Sequence, residues 1–329
     1  MSQNILVIGN GFDIYHGLPT KYIDFVNNTE IKNQDNMFIK YFQKVAKENQ
    51  TWIDCEQEIK RVVRTIFDVL EKIREDSANQ SLSYLGTLSI DKVSDDQRNI
   101  LKNIDLVFEE KTINYRVVKV RDEYIHPFYG INISQIMTTM KEELDSLIKV
   151  LEKYLMNNID VSSIKIKSEQ IKKIKPEYVV NFNYTDTYKL YDIKEQDVFY
   201  IHGRIGNTPN NMVFGFEDED EFNLDDIYFK KYFQRIQKRN GLLDEKKFEP
   251  CIYADLGKEP VISHFFGLSM GVTDGDIIKK IEQLSNVCVI YYYNQVDYEM
   301  KVINLIKIFG KECFMQKIYD KEIQLEEIE

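Results

Sequence analysis

Cysteine is scarce in this chain of 329 residues, and none of the four sits in a CxxC pair. Cys55, Cys251, Cys288 and Cys313 are widely spaced, which argues against a structural zinc site and against a disulfide framework, so reduced thiols are expected. Long apolar runs are also missing: no stretch approaches the roughly 20 residues that span a bilayer. The chain opens on Ile5–Ile8 running straight into glycine, not on a charged-then-apolar leader. These absences lead to the expectation of a soluble, cytoplasmic protein. Positive charge is in shorter supply than negative, with 43 Lys and Arg against 54 Asp and Glu and a net charge of −11. An acidic surface repels nucleic-acid phosphates and anionic lipid, so neither nucleic acid nor membrane is expected as a partner. The lysine-bearing stretch from Lys165 to Lys175 carries no interleaved aromatics and reads as a solvated helix face or linker.

Low-complexity sequence and internal repeats are absent too, and 43% hydrophobic with 29% charged residues is the composition of a folded protein. The length exceeds the roughly 250–300 residues at which one core stops growing. One α/β body with a second, mostly helical part is therefore expected. Asn4–Ile8 is a short apolar run closed by Gly9, as in a strand buried on both faces. Ile59, Val62, Val63, Ile66 and Leu70 fall on one helix face, as do Leu144, Leu147, Ile148, Leu151 and Leu155. The polar stretch from Ser77 to Asp96 reads as a loop. After Pro176 the spacing predicts strands at Tyr178–Phe182, Val198–Ile201, Met212–Phe216, Val261–Phe266 and Val287–Tyr293, with helices at Asp276–Leu284 and Tyr298–Ile308. Strands alternating with helices predict a doubly wound, mainly parallel, Rossmann-like sheet. Its pieces lie at 1–28 and 176–329, one discontinuous nucleotide-binding domain, and 29–175 is expected to be a helical insertion.

Three short motifs follow predicted strands. The first is Gly9-Asn10-Gly11-Phe12-Asp13, with Gly17-Leu18-Pro19-Thr20 behind it. Glycine after a buried strand lets backbone N–H groups approach a phosphate, although it suits a plain tight turn equally well. Ile14 stands where a GxGxxG fingerprint needs its third glycine. The second motif is Asn181-Phe182-Asn183-Tyr184-Thr185-Asp186, and the third is His202-Gly203. Asn183 alone is a turn former and His202 alone a structural histidine. Together with the glycine loop they place polar groups at the ends of three strands, where α/β folds assemble a site. Gly267-Leu268-Ser269 leads on to Thr273 and Asp274. Thr273 with Asp276 matches a helix cap as well as a ligand contact. The acidic run Glu217–Glu221, with Asp225 and Asp226, lacks the mid-loop glycine of a calcium loop and reads as a solvated surface loop. His126 and His264 have no readable partner, and His264 is expected to be structural.

Gly9-Asn10-Gly11-Phe12-Asp13 through His16–Thr20, with Tyr22 and Phe25, resembles the opening signature of the AbiH family of phage abortive-infection proteins. Asn181–Thr185, His202-Gly203, Gly215, and Gly267 and Ser269 with Asp274 resemble its later motifs in the same order, and Trp52 with Glu56 resembles its W-x-x-x-E pattern. A more distant resemblance is to sirtuin-like domains, which carry a GAG-x-S loop, a G-[IL]-P, a T-x-N-x-D and a His-Gly pair. Gly9, Gly11, Gly17-Leu18-Pro19, Asn183 and His202 match it, whereas Asp13 replaces the loop serine and Thr185 the motif aspartate. With no zinc-ribbon cysteines, protein deacetylation is not expected.

These resemblances imply an abortive-infection effector that binds an NAD-like nucleotide and hydrolyses it to nicotinamide and ADP-ribose. They imply His202 and Asn183 as catalytic residues. The nucleotide contacts would be Gly9, Asn10, Gly11, Phe12, Asp13, Gly17, Thr185, Gly203, Gly267, Ser269 and Asp274. NAD is then the substrate or ligand, and no metal is implied. A nucleotide-sensing module without catalysis, working through a homo-oligomer or a defence-system partner protein, is the alternative. A third class, another nucleotide-acting enzyme such as a nuclease, lacks a paired-carboxylate metal motif here.

Overall fold

The computed structural model describes residues 3–48, 54–77, 86–104, 106–111, 116–165, 168–217, 225–240 and 260–328. Trp52, Cys251 and the acidic residues 218–221 lie outside them. Two compact units divide the chain, one of Met1–Lys21, Glu152–Glu219 and Lys231–Glu329, the other of Tyr22–Leu151 and Asp220–Lys230.

The first unit holds a six-stranded sheet. In chain order its strands are β1 (Gln3–Ile8), β2 (Tyr178–Asn181), β3 (Val198–Tyr200), β4 (Val261–Phe266), β5 (Val287–Tyr292) and β6 (Ile323–Glu327). They lie side by side as β6-β5-β4-β1-β2-β3, and every neighbouring pair is parallel. Ile8 at the end of β1 is in register with Asn181 of β2 and with Phe266 of β4, and Asn181 with Tyr200 of β3. Four strands thus end at one level, so that Gly9, Phe182, Ile201 and Gly267 leave from a common edge.

The alternation of the strands explains why both faces of this sheet are apolar. Ile5 and Val7 join Val180, Phe265 and Ile290 in a core closed by Ile277, Ile281, Leu305 and Phe314 from the helices that follow β4 and β5. Leu6 and Ile8 point the other way, into a core with Phe12, Ile171, Val179, Tyr188 and Phe266. A strand with such cores on both sides has to be apolar throughout, and Ile5–Ile8 are wholly buried.

Two expectations for this unit need correction. Met212–Phe216 is buried but forms no strand of the sheet. Side-chain amides replace the missing neighbour: Gln234 bonds both the N–H and the carbonyl of Phe214, at 3.0 and 2.9 Å. The sixth strand, β6, was not expected, because its Ile-Gln-Leu-Glu-Glu is charged at its outer end, as edge strands are.

The second unit is helical, but not only helical. Its longest elements are the helix Cys55–Ser77 and, as far as Leu151, the helix Ile133–Asn158; the predicted faces of both helices are buried. It also contains a three-stranded antiparallel sheet of Thr87–Ser89, Arg116–Val120 and Val107–Lys111, and the hairpin Ile125–His126 with Gly130–Ile131. Part of the stretch from Ser77 to Asp96, expected as a loop, is thus a strand. No helix of the described residues is long and apolar enough to cross a membrane.

Candidate functional site

The loops after β1 and β4 touch through their backbones. Gly9 N–H donates to Phe266 O at 3.2 Å, and Gly11 N–H donates to Gly267 O at 2.7 Å. Gly267 has φ +69°, and a Cβ there would stand 2.0 Å from Phe12 N. A Cβ on Gly11 would stand 2.8 Å from Gly267 Cα, and one on Gly9 2.7 Å from Leu268 Cα. The glycines are therefore required by loop-to-loop contact. The N–H groups of Gly9 and Gly11, expected to face a phosphate, are taken up by protein carbonyls. A bulky residue at Gly11 would therefore disturb the fold itself. Asn10 and Ser269 are the exposed residues of the two loops; Asn10 Nδ2 donates to Thr20 O at 3.1 Å and Ser269 O accepts from Asn304 Nδ2 at 3.0 Å.

The Asn181–Thr185 motif ties itself to the first loop. Asn181 Oδ1 accepts from Asn183 N–H at 2.8 Å, and Asn181 Nδ2 donates to Thr185 O at 2.9 Å. Held this way, Asn183 Nδ2 donates to Gly9 O at 2.9 Å and Thr185 Oγ1 donates to Asp13 Oδ2 at 2.6 Å. Asp13 and Thr185, 172 residues apart in the chain, are each other's partner. Burial pushes the Asp13 carboxyl up to about 6, against hydrogen bonds from Thr185, Thr187 and Asn183 that hold it down. Its Oδ1 is buried and has no hydrogen-bond partner among the described residues.

His202 goes elsewhere, into a buried group of charges. Its Nε2 lies 2.9 Å from Asp274 Oδ1. The contact is bent, so neither ring nitrogen makes a well-aligned hydrogen bond to a described group. Lys231 Nζ, on a side chain 2% exposed, lies 3.2 and 3.4 Å from the two Asp274 oxygens and 3.5 Å from Thr273 Oγ1. Arg235, one turn on, pairs with Asp276 and lies 3.5 Å from Glu217 Oε1. Burial pulls the His202 imidazole below its ordinary value; Asp274 opposes the shift, and Lys231 and Arg235 add to it. Burial works against ionisation of Asp274, but Lys231, His202 and Arg235 outweigh it and hold that carboxyl far down. Glu217 is pushed up to about 7, chiefly by burial.

Several expectations change here. Thr273 and Asp276 do not cap the helix Gly275–Leu284, whose N-cap is Asp274 without a side-chain bond; Thr273 and Asp274 face Lys231 instead. The acidic run is not all solvated, since Glu217 is engaged by Arg235 and Asp226 is fully buried beside Lys230 at 3.1 Å. Gly203, with φ +77°, lies against the carbonyl of Asn211 and is a packing glycine. Gly17, with φ +82°, has open space around it. Phe12 is a core residue. His264, with its Nδ1 3.1 Å from Tyr291 Oη, is structural as expected.

Lys231 and Arg235 went unnoticed in the sequence because isolated cations in a short polar helix look like surface residues. His16 did too: its Nδ1 lies 2.6 Å from Phe12 O and its Nε2 2.6 Å from Tyr191 Oη. An open depression of about 640 Å³ lies at the other, amino-terminal end of β2 and β3, beside Lys175, Tyr178 and Tyr191. None of the glycine loops lines it. Cys55, Cys288 and Cys313 are free, and the described residues hold no group of metal-ligating side chains.

The order of these motifs along the chain corresponds to one protein family. The model of that family, described as bacteriophage abortive infection AbiH, matches residues 5–293. No curated protein and no solved structure matches the chain. The matched span runs from the first strand of the sheet to the end of the fifth and includes the glycine loops, Asn183, His202 and Asp274. The protein belongs to the AbiH family, whose role is abortive-infection defence against phage.

Proposed function

We propose that this chain is a cytoplasmic abortive-infection effector that binds an NAD-like nucleotide over the carboxyl ends of β1 and β4 and hydrolyses it to nicotinamide and ADP-ribose. The strand order carries the reading. Numbered along the chain, the sheet runs 3-2-1-4-5-6, the order of doubly wound, Rossmann-like dinucleotide-binding domains. In such sheets the ligand lies outside the carboxyl ends, where the order reverses. Here the reversal falls between β1 and β4, the two strands that end in the paired glycine loops.

The unpartnered Asp13 Oδ1 also fits such a ligand, because a ribose hydroxyl could donate to it. The Gly9 and Gly11 N–H groups are already engaged, so the phosphates fall to the exposed Asn10 and Ser269. Glycosidic cleavage passes through an oxocarbenium-like ribose and needs an oriented sugar, a water and a dry setting. His202 is the residue whose imidazole would accept the proton from that water, and Asn183 the one that fixes the strand end beside the ribose.

A second reading, nucleotide sensing without cleavage, is favoured by one observation: Asn183 and His202 are both engaged within the protein. Incubating purified protein with NAD and measuring nicotinamide release and NAD affinity separates the two. Release that falls roughly 10²–10⁴-fold in His202→Ala, with affinity nearly kept, supports hydrolysis. Binding without release supports sensing. Neither binding nor release removes NAD from the account.

A further inference from the structure

We propose that Asp274 and Lys231 are positioning residues that keep the His202 proton on Nε2 and leave Nδ1 as the bare, proton-accepting nitrogen. The importance of this for cleavage rests on the reading given under Proposed function; the assignment of the proton does not.

A neutral imidazole carries one proton, and the nitrogen that bears it is set by what faces the ring. Asp274 Oδ1 faces Nε2 at 2.9 Å. The negative carboxylate beside Nε2 favours the tautomer that puts the positive N–H on that nitrogen and disfavours a bare one, with little water to screen the effect, since the two side chains are 6% and 13% exposed. The proton therefore sits on Nε2. This conclusion needs only the short distance and the charge, not an ideal hydrogen-bond angle. Nδ1 has no partner among the described residues. Its ring packs edge-on against Phe182, with centroids 5.5 Å apart, which fixes the plane of the imidazole without offering a hydrogen bond.

Everything turns on Asp274 staying ionised. A protonated Asp274 would donate to Nε2 and drive the proton onto Nδ1, the opposite tautomer. Lys231 prevents that, because its ammonium bridges both Asp274 oxygens from within the core at 3.2 and 3.4 Å. Arg235 acts at longer range and is itself balanced by Asp276 and Glu217. Without Lys231 the nearest ammonium is gone, and burial, which favours the neutral acid, acts on Asp274 with less opposition. The tautomer of His202 is thus controlled by a residue that does not touch it.

Nuclear magnetic resonance with histidine-selective ¹⁵N labelling tests this directly, since protonated and bare ring nitrogens resonate far apart. The chain has four histidines, and His202→Gln identifies the signal in question. The expected result is Nε2 protonated and Nδ1 bare in the unaltered protein. Lys231→Met should shift the signal toward the other tautomer or a mixture, and Lys231→Arg should restore it. A protonated Nδ1 in the unaltered protein overturns the proposal, as does an unchanged His202 signal in a folded Lys231→Met. Should that variant not fold, the unaltered protein alone still decides the tautomer. If nicotinamide release exists, Lys231→Met should slow it roughly 10-fold or more, with the arginine variant recovering it. The expected tautomer with no release under any condition would sink the hydrolytic reading and leave this one standing.

Discussion

Two parts of one sheet edge are built by different physics. Where β1 meets β4, the loops join by backbone: Gly9, Gly11 and Gly267 allow a contact that no side chain could share. Where the chain beyond β3 meets the chain beyond β4, the joint is made of charge, with the half-buried Asp274 set among the buried His202, Lys231 and Arg235. The first joint is made of backbone hydrogen bonds from Gly9 and Gly11 and contains no titratable group. The second depends on the ionisation of its members and on each keeping its partner. Glycine in a loop after a strand need not mean a ligand, and a buried ion pair need not mean stability.

The widest gap between the two joints should appear on substituting Gly267 by valine. A β-branched residue at φ +69° is strained, and its Cβ would meet Phe12 N at 2.0 Å. Strain and clash together should cost about 3 kcal/mol or more, so the variant should unfold at much lower denaturant or fail to accumulate. Gly17→Ala is the control. It has a similar φ of +82° but nothing within 4 Å, so only the left-handed penalty of about 1 kcal/mol remains. Equal losses in the two variants would show that the loop contact does not hold this edge together.

Much of the first joint was legible in the sequence, and little of the second. A run such as Ile5–Ile8 closed by glycine announces a central strand, and β4 follows its expectation residue for residue. Parallel strands buried on both faces leave a strong local signal. Lys231 leaves none, because its partner Asp274 is 43 residues away and nothing local marks a lysine as buried. Met212–Phe216 misled because its apolar run packs in the core outside the sheet, where Gln234 satisfies the backbone of Phe214 and His202 O accepts from Val213 N–H. In the sequence, Asp13 and Thr185 stand out only as two departures from a motif. Only the structure shows that the two side chains are bonded to each other, at 2.6 Å.

The second joint should respond to Lys231→Met with a loss of about 3 kcal/mol at pH 7, since Asp274 would be left half-buried beside a neutral imidazole. The sign of its pH dependence follows from the depressed Asp274 carboxyl. Its contribution is present above the ordinary carboxylate range and is lost as the pH falls through its lowered folded value. Chemical denaturation of both proteins between pH 3 and pH 7 should therefore show the difference shrinking toward acid. A difference that grows toward acid would mean that Lys231 is not what keeps Asp274 charged.

Asp13 should behave in the opposite sense, although it sits beside the backbone joint. Its folded value of about 6 lies above the ordinary 3.8, so the folded state holds the proton longer than the unfolded chain. Stability is greatest below the unfolded value and is lost as pH rises through about 6, by on the order of 2–3 kcal/mol. Asp13→Asn removes the titration and should flatten that part of the profile. Parallel pH profiles for the two proteins would place the charge of Asp13 in solvent rather than against Thr185.

The smallest effect expected is at Tyr293, whose hydroxyl donates to Gly11 O at 2.7 Å and so braces the first loop from beyond β5. Phenylalanine at this position keeps the ring and its edge-on contact with Phe266, whose centroid is 6.2 Å away. Only the hydrogen bond is lost. Tyr293 is 36% exposed, so water can reach the carbonyl that it leaves. The cost should be about 0.5–1 kcal/mol, the net value of one such bond when the abandoned group is resolvated. Because the glycine contact is made of backbone alone, Tyr293→Phe should leave the Gly11–Gly267 hydrogen bond in place, and amide hydrogen exchange at Gly11 reads this directly. Slow exchange at Gly11 in the variant is the expected result. Exchange accelerated by more than the small global destabilisation allows would mean that the tyrosine, and not the paired glycines, holds the two loops together.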